Sequence, residues 1–189
     1  MNPSREQGMA LLKKYNKNEA LINHALAVES VMKHFAKLKE EDEQKWGVIG
    51  LIHDLDYELY PDQHCQMTEK ILRQENWPEE YIHAVVSHGW KICSDTEPVQ
   101  YMEKVLYTID ELTGLINATC LMRPSKSILD LSVSSVKKKF KQKSFAQGVD
   151  RNIIEEGAAM LNMQLDDVIN ETIEGMKTVA EEIGLKGSL

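Results

Sequence analysis

The chain has 189 residues, of which 42% are hydrophobic and 28% charged, and its formal net charge is −8. This length is enough for one domain with a sizeable core, and the acidic balance argues against general nucleic-acid binding. No apolar stretch approaches the roughly 20 residues that a membrane span needs, and the first residues lack the apolar core of a signal peptide.

Helical periodicity runs through the whole chain. Apolar residues recur at three- and four-residue spacing from Leu21 to Phe35, after Asn18, a residue type that favours the start of a helix. A loop is predicted at Tyr57–Pro61, and Pro78 and Pro98 are expected in the first turns of helices. The other predicted helices cover about 42–55, 62–75, 79–88, 98–120, 132–142, 150–161 and 165–183, the last ending at Gly184.

No segment shows the strict alternation of a strand, so the predicted fold is all-α. We expect a single domain over residues 1–189, with a helical core at about 20–122 and a C-terminal helical extension at 123–189 packed on it. The last helix is expected either to cover the core or to contribute to a homodimer. Cys65, Cys93 and Cys120 form no disulfide framework, which favours a reducing compartment and predicts a cytoplasmic location.

Four polar side chains interrupt or border apolar helical stretches: His24, His53, Asp54 and Asp110. His53-Asp54 ends the apolar run at 47–52, where a buried imidazole beside a carboxylate is costly without a partner. Taken alone, His24 fits a core histidine, and Asp110 fits a carboxylate paired with Lys104 or a helix end. Together the four residues lie on three helices, and a divalent cation is a partner that suits them all.

This ordered set resembles the HD-domain superfamily of metal-dependent phosphohydrolases, over about residues 20–120. His64 and His88 resemble the two extra ligands of the dinuclear branch of that superfamily, although a helix-start histidine and a helix-end histidine are the plainer alternatives. The resemblance implies that His24, His53, Asp54 and Asp110 hold one metal ion. Asp54 then bridges to a second ion held by His64 and His88. The angular positions of His34 and His83 on their helices predict that these two histidines lie on the surface.

The resemblance also implies the chemistry. One or two divalent transition-metal ions (Mn, Fe, Co, Ni or Zn) suit imidazole and carboxylate ligands, and a metal-activated hydroxide attacks phosphorus. His53 and Asp54 are therefore the predicted catalytic residues. The expected partner is a small phosphorylated substrate, and the resemblance implies a nucleotide. Two alternatives stay open: a di-iron oxygenase with the same ligands, and a regulatory module with the fold but no turnover.

Substrate contacts are less well marked. Tyr57 stands where many family members have a lysine. Asp56 is either an outer-shell base or a plain loop carboxylate, and the loop interpretation is preferred. Residues 123–151 carry a net charge of +6, which is either a solvated helix face or a rim that attracts anions. The candidate substrate-binding residues are Arg123, Lys126 and Lys104, and exposed charges that bind no substrate are the alternative for all three.

Overall fold

The computed structural model describes residues 2–188, which form nine α-helices and a short 3-10 helix at Pro61–Gln63. Apart from one isolated bridge between Trp90 and Ser94, these residues contain no β-structure, so the all-α prediction is confirmed. In chain order the helices are α1 (Arg5–Tyr15), α2 (Glu19–Leu38), α3 (Glu43–Ile52), α4 (Gln66–Gln74), α5 (Glu79–Ser87), α6 (Tyr101–Leu121), α7 (Val133–Phe140), α8 (Arg151–Met160) and α9 (Leu165–Lys177).

Five of the nine helices begin where a side chain accepts a hydrogen bond from a free backbone N–H group. Asn18 Oδ1 accepts from Ala20 N at 2.9 Å and starts α2, as predicted. Asp42 Oδ1 accepts from Lys45 N at 3.0 Å and starts α3. Helix α1 was not predicted, and it starts with a capping box between Ser4 and Gln7.

Several predicted boundaries were wrong. Helix α3 ends at Ile52 rather than near 55, and α9 ends at Lys177 rather than near 183. Helix α4 starts at Gln66 rather than near 62, because the 3-10 helix and the left-handed backbone of Cys65 (φ 67°) come first. Pro98 precedes α6 by three residues, and Gln100 caps that helix with Glu103.

Helix α2 lies at the centre and contacts α3, α6 and α9. The middle of its apolar face is completely buried, and Val28, Val31 and Met32 have no exposed area. Gly50 allows α3 to approach closely, because a Cβ there would lie 3.0 Å from the carbonyl oxygen of Val28. This close approach brings the end of α3 beside α2, where the candidate ligands of the two helices meet.

The C-terminal helices pack on the same core. Helix α9 lies against α2, and α8 lies against α6. At the first of these contacts, a Cβ on Gly175 would lie 2.8 Å from Val31 Cα. That residues 1–189 form one domain stays a prediction. Within residues 2–188, no helix combines the length and apolar character needed to cross a membrane.

Candidate metal centre

Five segments deliver the six predicted ligands to one place in the structure. His24 comes from α2 and Asp110 from the middle of α6, while His53 and Asp54 follow the last residue of α3. The remaining two lie at helix ends: His64 follows the 3-10 helix, and His88 is the C-cap of α5.

The first group contains His24, His53, Asp54 and Asp110, with one donor atom from each within 4.8 Å of the others. Asp110 Oδ1 lies 2.9 Å from His24 Nε2 and 3.3 Å from His53 Nε2. Asp54 Oδ2 lies 3.4 Å from His53 Nε2 and 3.9 Å from His24 Nε2. Two imidazoles and two carboxylates therefore converge on one small volume.

The second group contains Asp54, His64 and His88. The other oxygen of the same carboxylate, Asp54 Oδ1, lies 3.4 Å from His64 Nε2 and 3.3 Å from His88 Nε2. Asp54 thus presents one oxygen to each group, which is the arrangement expected of a carboxylate that bridges two cations.

Hydrogen bonds fix the orientation of three imidazoles. The Nδ1–H of His53 donates to the carbonyl oxygen of Gly50 at 2.8 Å, and that of His88 donates to the carbonyl oxygen of Val85 at 2.5 Å. His64 Nδ1 bonds Asp56 Oδ1 at 2.7 Å. With Nδ1 occupied in this way, each Nε2 faces the cluster, as is usual for histidines that bind metals.

Among residues 2–188, no lysine or arginine forms an ion pair with the two carboxylates of the cluster, which contact only histidines. His53 Nε2 and Asp54 Oδ1 are buried without a hydrogen-bond partner in the described part of the chain. His64 Nε2 and His88 Nε2 face each other at 3.2 Å. Two imidazole lone pairs repel at this distance, so a proton or a metal ion must lie between them. The donor set fits a divalent cation, and its mixture of imidazole and carboxylate suits Mn, Fe, Co, Ni or Zn better than Mg.

The close approach of imidazoles and carboxylates in the cluster shifts the pKa values of His53, Asp54 and Asp110. Burial favours the neutral form of His53, but the nearby carboxylates of Asp54 and Asp110 outweigh it and raise the pKa of His53 well above its ordinary value. Burial likewise opposes ionisation of the two carboxyl groups, and His53 nevertheless holds the pKa of each below its usual range. The cluster therefore retains protons when no other cation is present, and metal ions must compete with them.

Asp56 orients the imidazole of His64, which belongs to the second group. It is completely buried; its Oδ1 bonds His64, and its Oδ2 accepts from Thr68 N at 2.8 Å. Burial lowers the pKa of His64, whereas the hydrogen bond that its ring donates to Asp56 and the charge of Asp54 raise it, to about 8. The interpretation of Asp56 as a loop carboxylate was wrong, because its burial depends on contacts with α4 that the sequence pattern does not reveal.

Replacing Asp56 with alanine should weaken metal binding at the second group about 10- to 100-fold, because His64 loses the partner that orients its ring. Titration calorimetry with Co²⁺ would measure the two affinities separately. Asp62→Ala removes an exposed carboxylate from the 3-10 helix that precedes His64 and serves as the control. Equal affinities in the wild-type and Asp56→Ala proteins would rule out this orienting role.

A cavity of about 350 Å³ opens over the cluster. Tyr57 lines it, and its ring centroid lies 5.2 Å from that of His64, so an aromatic side chain occupies the position where a lysine is common. Sequence reasoning missed Glu111 and Cys93, which also line the cavity. Burial and the neighbouring charge of Asp110 raise the pKa of Glu111 to about 7.

The three predicted substrate-binding residues do not line this cavity. Arg123 forms a bidentate ion pair with Asp130, with both N–O distances 2.8 Å. Helix α6 ends at Leu121, which lies about 17 Å along the helix from Asp110, and Arg123 and the exposed Lys126 come after that end. Lys104 lies about 9 Å from Asp110 in the opposite direction. Their role as substrate contacts stays a prediction.

Two other histidines lie outside the cluster. His83 is exposed, as predicted, and its Nδ1 lies 2.9 Å from Glu103. His34 was expected on the surface, but its side chain is only 22% exposed and contacts Glu171 of α9 at 2.6 Å. The packing of α9 on α2 accounts for this difference.

Comparison with known families identified one similarity. The family model described as HD domain matches residues 21–124, more than half of the chain, and this range includes all six residues of the cluster. No curated protein and no solved structure was found to match the chain.

Proposed function

The chain belongs to the HD domain family, and we propose that it is a metal-dependent phosphohydrolase that uses two divalent cations. In this proposal His24, His53, Asp54 and Asp110 hold one cation, and Asp54, His64 and His88 hold the other. The substrate is a small phosphorylated molecule, with nucleotides as the first class to test.

One observation carries the proposal: the two oxygens of Asp54 face two separate groups of imidazoles. A structural histidine–aspartate pair needs one contact, whereas this carboxylate lies 3.3–3.9 Å from four buried or half-buried imidazoles. Burying so many polar groups is costly unless cations compensate for them. The complete set of six residues also weighs against a regulatory module without turnover.

Two cations bound here would activate a water molecule for attack on phosphorus and stabilise the charge on the phosphoryl oxygens. The protein's own residues supply the geometry for this step. Asp54 and the hydrogen bonds to Gly50, Val85 and Asp56 orient the rings around one point. The cavity above that point admits the substrate, and Tyr57 offers it an aromatic surface.

A larger groove continues from this cavity. Its volume is about 920 Å³, and it shares Ile92, Glu111, Gly148 and Val149 with the cavity over the cluster. Lys141 and Lys143 line the groove, and among residues 2–188 neither ammonium group has a carboxylate partner. We therefore propose that the groove receives the remainder of the substrate and that these two lysines bind an anionic group on it.

Replacing both Lys141 and Lys143 with alanine should raise KM about tenfold and leave kcat nearly unchanged, because the lysines bind a part of the substrate that does not react. The effect should shrink as salt concentration rises. Arg123→Ala is the informative comparison, because it removes one of the substrate contacts predicted from sequence. A raised KM in Arg123→Ala but not in the double lysine variant would reverse this assignment.

A screen of phosphorylated metabolites with Mn²⁺, Fe²⁺, Co²⁺ and Ni²⁺ tests the function itself. We expect metal-dependent release of phosphate or of a phosphorylated product from at least one compound. Oxygen consumption by iron-loaded protein, with no phosphate released from any compound, would instead favour the oxygenase. The Asp54→Ala protein, assayed in parallel, controls for contaminating phosphatases.

A further inference from the structure

Two thiols meet beside the second ligand group. Cys65 Sγ and Cys93 Sγ are 3.0 Å apart, although 28 residues separate them in the chain, and both cysteines are free. Cys65 directly follows the candidate ligand His64, and Cys93 lies five residues after the candidate ligand His88. The thiols thus connect the two segments that carry these histidines.

The local backbone holds the two cysteine side chains in contact. A Cβ on Gly89 would collide with both sulfur atoms, so only glycine leaves them room to meet. The carbonyl oxygen of Gly89 accepts hydrogen bonds from Ile92, Cys93 and Ser94 at 2.9–3.0 Å, which fixes the turn that carries Cys93. Cys65 itself has a left-handed backbone, φ 67°, which is unfavourable for a residue with a side chain and needs support from its surroundings.

The two sulfurs differ in accessibility. Cys65 is 1% exposed, whereas Cys93 is partly exposed and lines the cavity over the cluster. A small reagent in the cavity therefore reaches Cys93 first and leaves Cys65 as the neighbouring thiol. Cys120, the third cysteine, is buried in α6 and provides a natural control.

We propose that Cys65 and Cys93 are a redox-active pair that hydrogen peroxide converts into a reversible disulfide. The Cys93 sulfur attacks the peroxide O–O bond, which gives a sulfenic acid and releases one molecule of water. The Cys65 sulfur then attacks the sulfenic sulfur, and the sulfenic oxygen leaves as a second water with the remaining thiol proton. One peroxide is reduced as two thiols are oxidised, and a dithiol reverses the bond by exchange.

Forming the disulfide requires little movement of the two segments that carry His64 and His88. The sulfurs need to approach from 3.0 Å to about 2.05 Å, so neither His64 nor His88 has to leave the cluster. A covalent link between the two segments restrains the separation of their imidazoles. If the proposed function is correct, the disulfide slows the release of the metal ion that these histidines hold.

The first experiment detects the bond in metal-free protein. Reduced protein is treated with one equivalent of hydrogen peroxide, and its intact mass and its peptides are measured. We expect the loss of two hydrogen atoms, a peptide that joins Cys65 to Cys93, and reversal by dithiothreitol. Cys120→Ser should behave like the wild type, and Cys93→Ser and Cys93→Ala should lose the cross-link. Circular dichroism confirms that each variant is folded.

Three results would contradict the proposal that Cys65 and Cys93 are a redox-active pair. Wild-type protein that keeps both thiols after peroxide treatment would contradict it, as would Cys93 oxidised to a sulfinic acid while Cys65 stays free. Thiolate-to-cobalt charge-transfer absorption in Co²⁺-loaded reduced protein would also do so, because the thiols would then be metal ligands with His64.

The second experiment measures the restraint in the Cys120→Ser background. Reduced and oxidised proteins are loaded with Co²⁺, and the metal lost to a chelator is followed over time. We expect the second equivalent to leave at least several-fold more slowly from the oxidised protein. Equal release rates would refute the restraint. Absence of bound cobalt in both forms would refute the proposed function and the restraint, and the mass measurement would still decide whether the disulfide forms.

Discussion

Replacing Asp54 with alanine is expected to remove both metal ions from the purified protein and to lower phosphohydrolase activity by roughly a thousandfold or more. Metal activation contributes several kcal/mol to such reactions, and each 1.4 kcal/mol changes the rate tenfold. The effect is larger than for any other single ligand because Asp54 faces both groups, with Oδ2 towards His53 and Oδ1 towards His64 and His88.

The measurement combines elemental analysis with the activity assay and a thermal melt. Asp95→Ala removes an exposed carboxylate and is the matched control, with metal content and rate both expected at wild-type levels. A folded Asp54→Ala protein that keeps its full complement of metal would show that this carboxylate is not a ligand.

The second large effect concerns the contact between the core and the C-terminal helices. We expect Gly157→Ala to lower the free energy of unfolding by about 1–3 kcal/mol, because it overpacks the contact between α8 and α6. The new Cβ would lie 2.7 Å from Thr108 Cβ and 2.8 Å from Thr108 Cγ2. Thr108 is completely buried and its hydroxyl donates to the carbonyl oxygen of Lys104 at 2.6 Å, so its side chain has little freedom to move.

Urea unfolding followed by circular dichroism measures this loss. Gly148→Ala is the control, since a Cβ there meets no atom within 4 Å. If residues 1–189 form one domain, both variants unfold in a single transition, and that of Gly157→Ala shifts as a whole. An unchanged free energy of unfolding in Gly157→Ala would contradict the predicted overpacking. A separate early transition for the C-terminal helices would contradict the single-domain prediction.

Four of the six candidate ligands interrupt or border apolar helical stretches, so their burial was predictable from the sequence. His64 and His88 were added only by the family resemblance. His53 and Asp54 end a run of buried residues, and Asp110 interrupts the apolar face of a long helix. Helical spacing alone indicates that such groups are buried and need a partner. The family resemblance then grouped these residues, and the structure brings their donor atoms within reach of one another.

The supporting residues were not predictable in the same way. Asp56 resembles any loop carboxylate until α4 packs over it, and Cys93 meets Cys65 only after two distant turns are placed side by side. The positive charge of residues 123–151 predicted Arg123 as a substrate contact. Arg123 instead lies beyond the end of α6, away from the cluster, and forms an ion pair with Asp130. Such contacts depend on tertiary packing, which local patterns do not encode.

Metal content in the His64→Ala/His88→Ala double variant tests the central claim most directly, because it separates the two groups of ligands. Elemental analysis of proteins purified without chelator should give about two transition-metal ions per wild-type chain and about one per chain of the double variant. A double variant that retains the wild-type ratio would show that these histidines hold no metal, and a wild-type chain without metal would contradict the whole assignment.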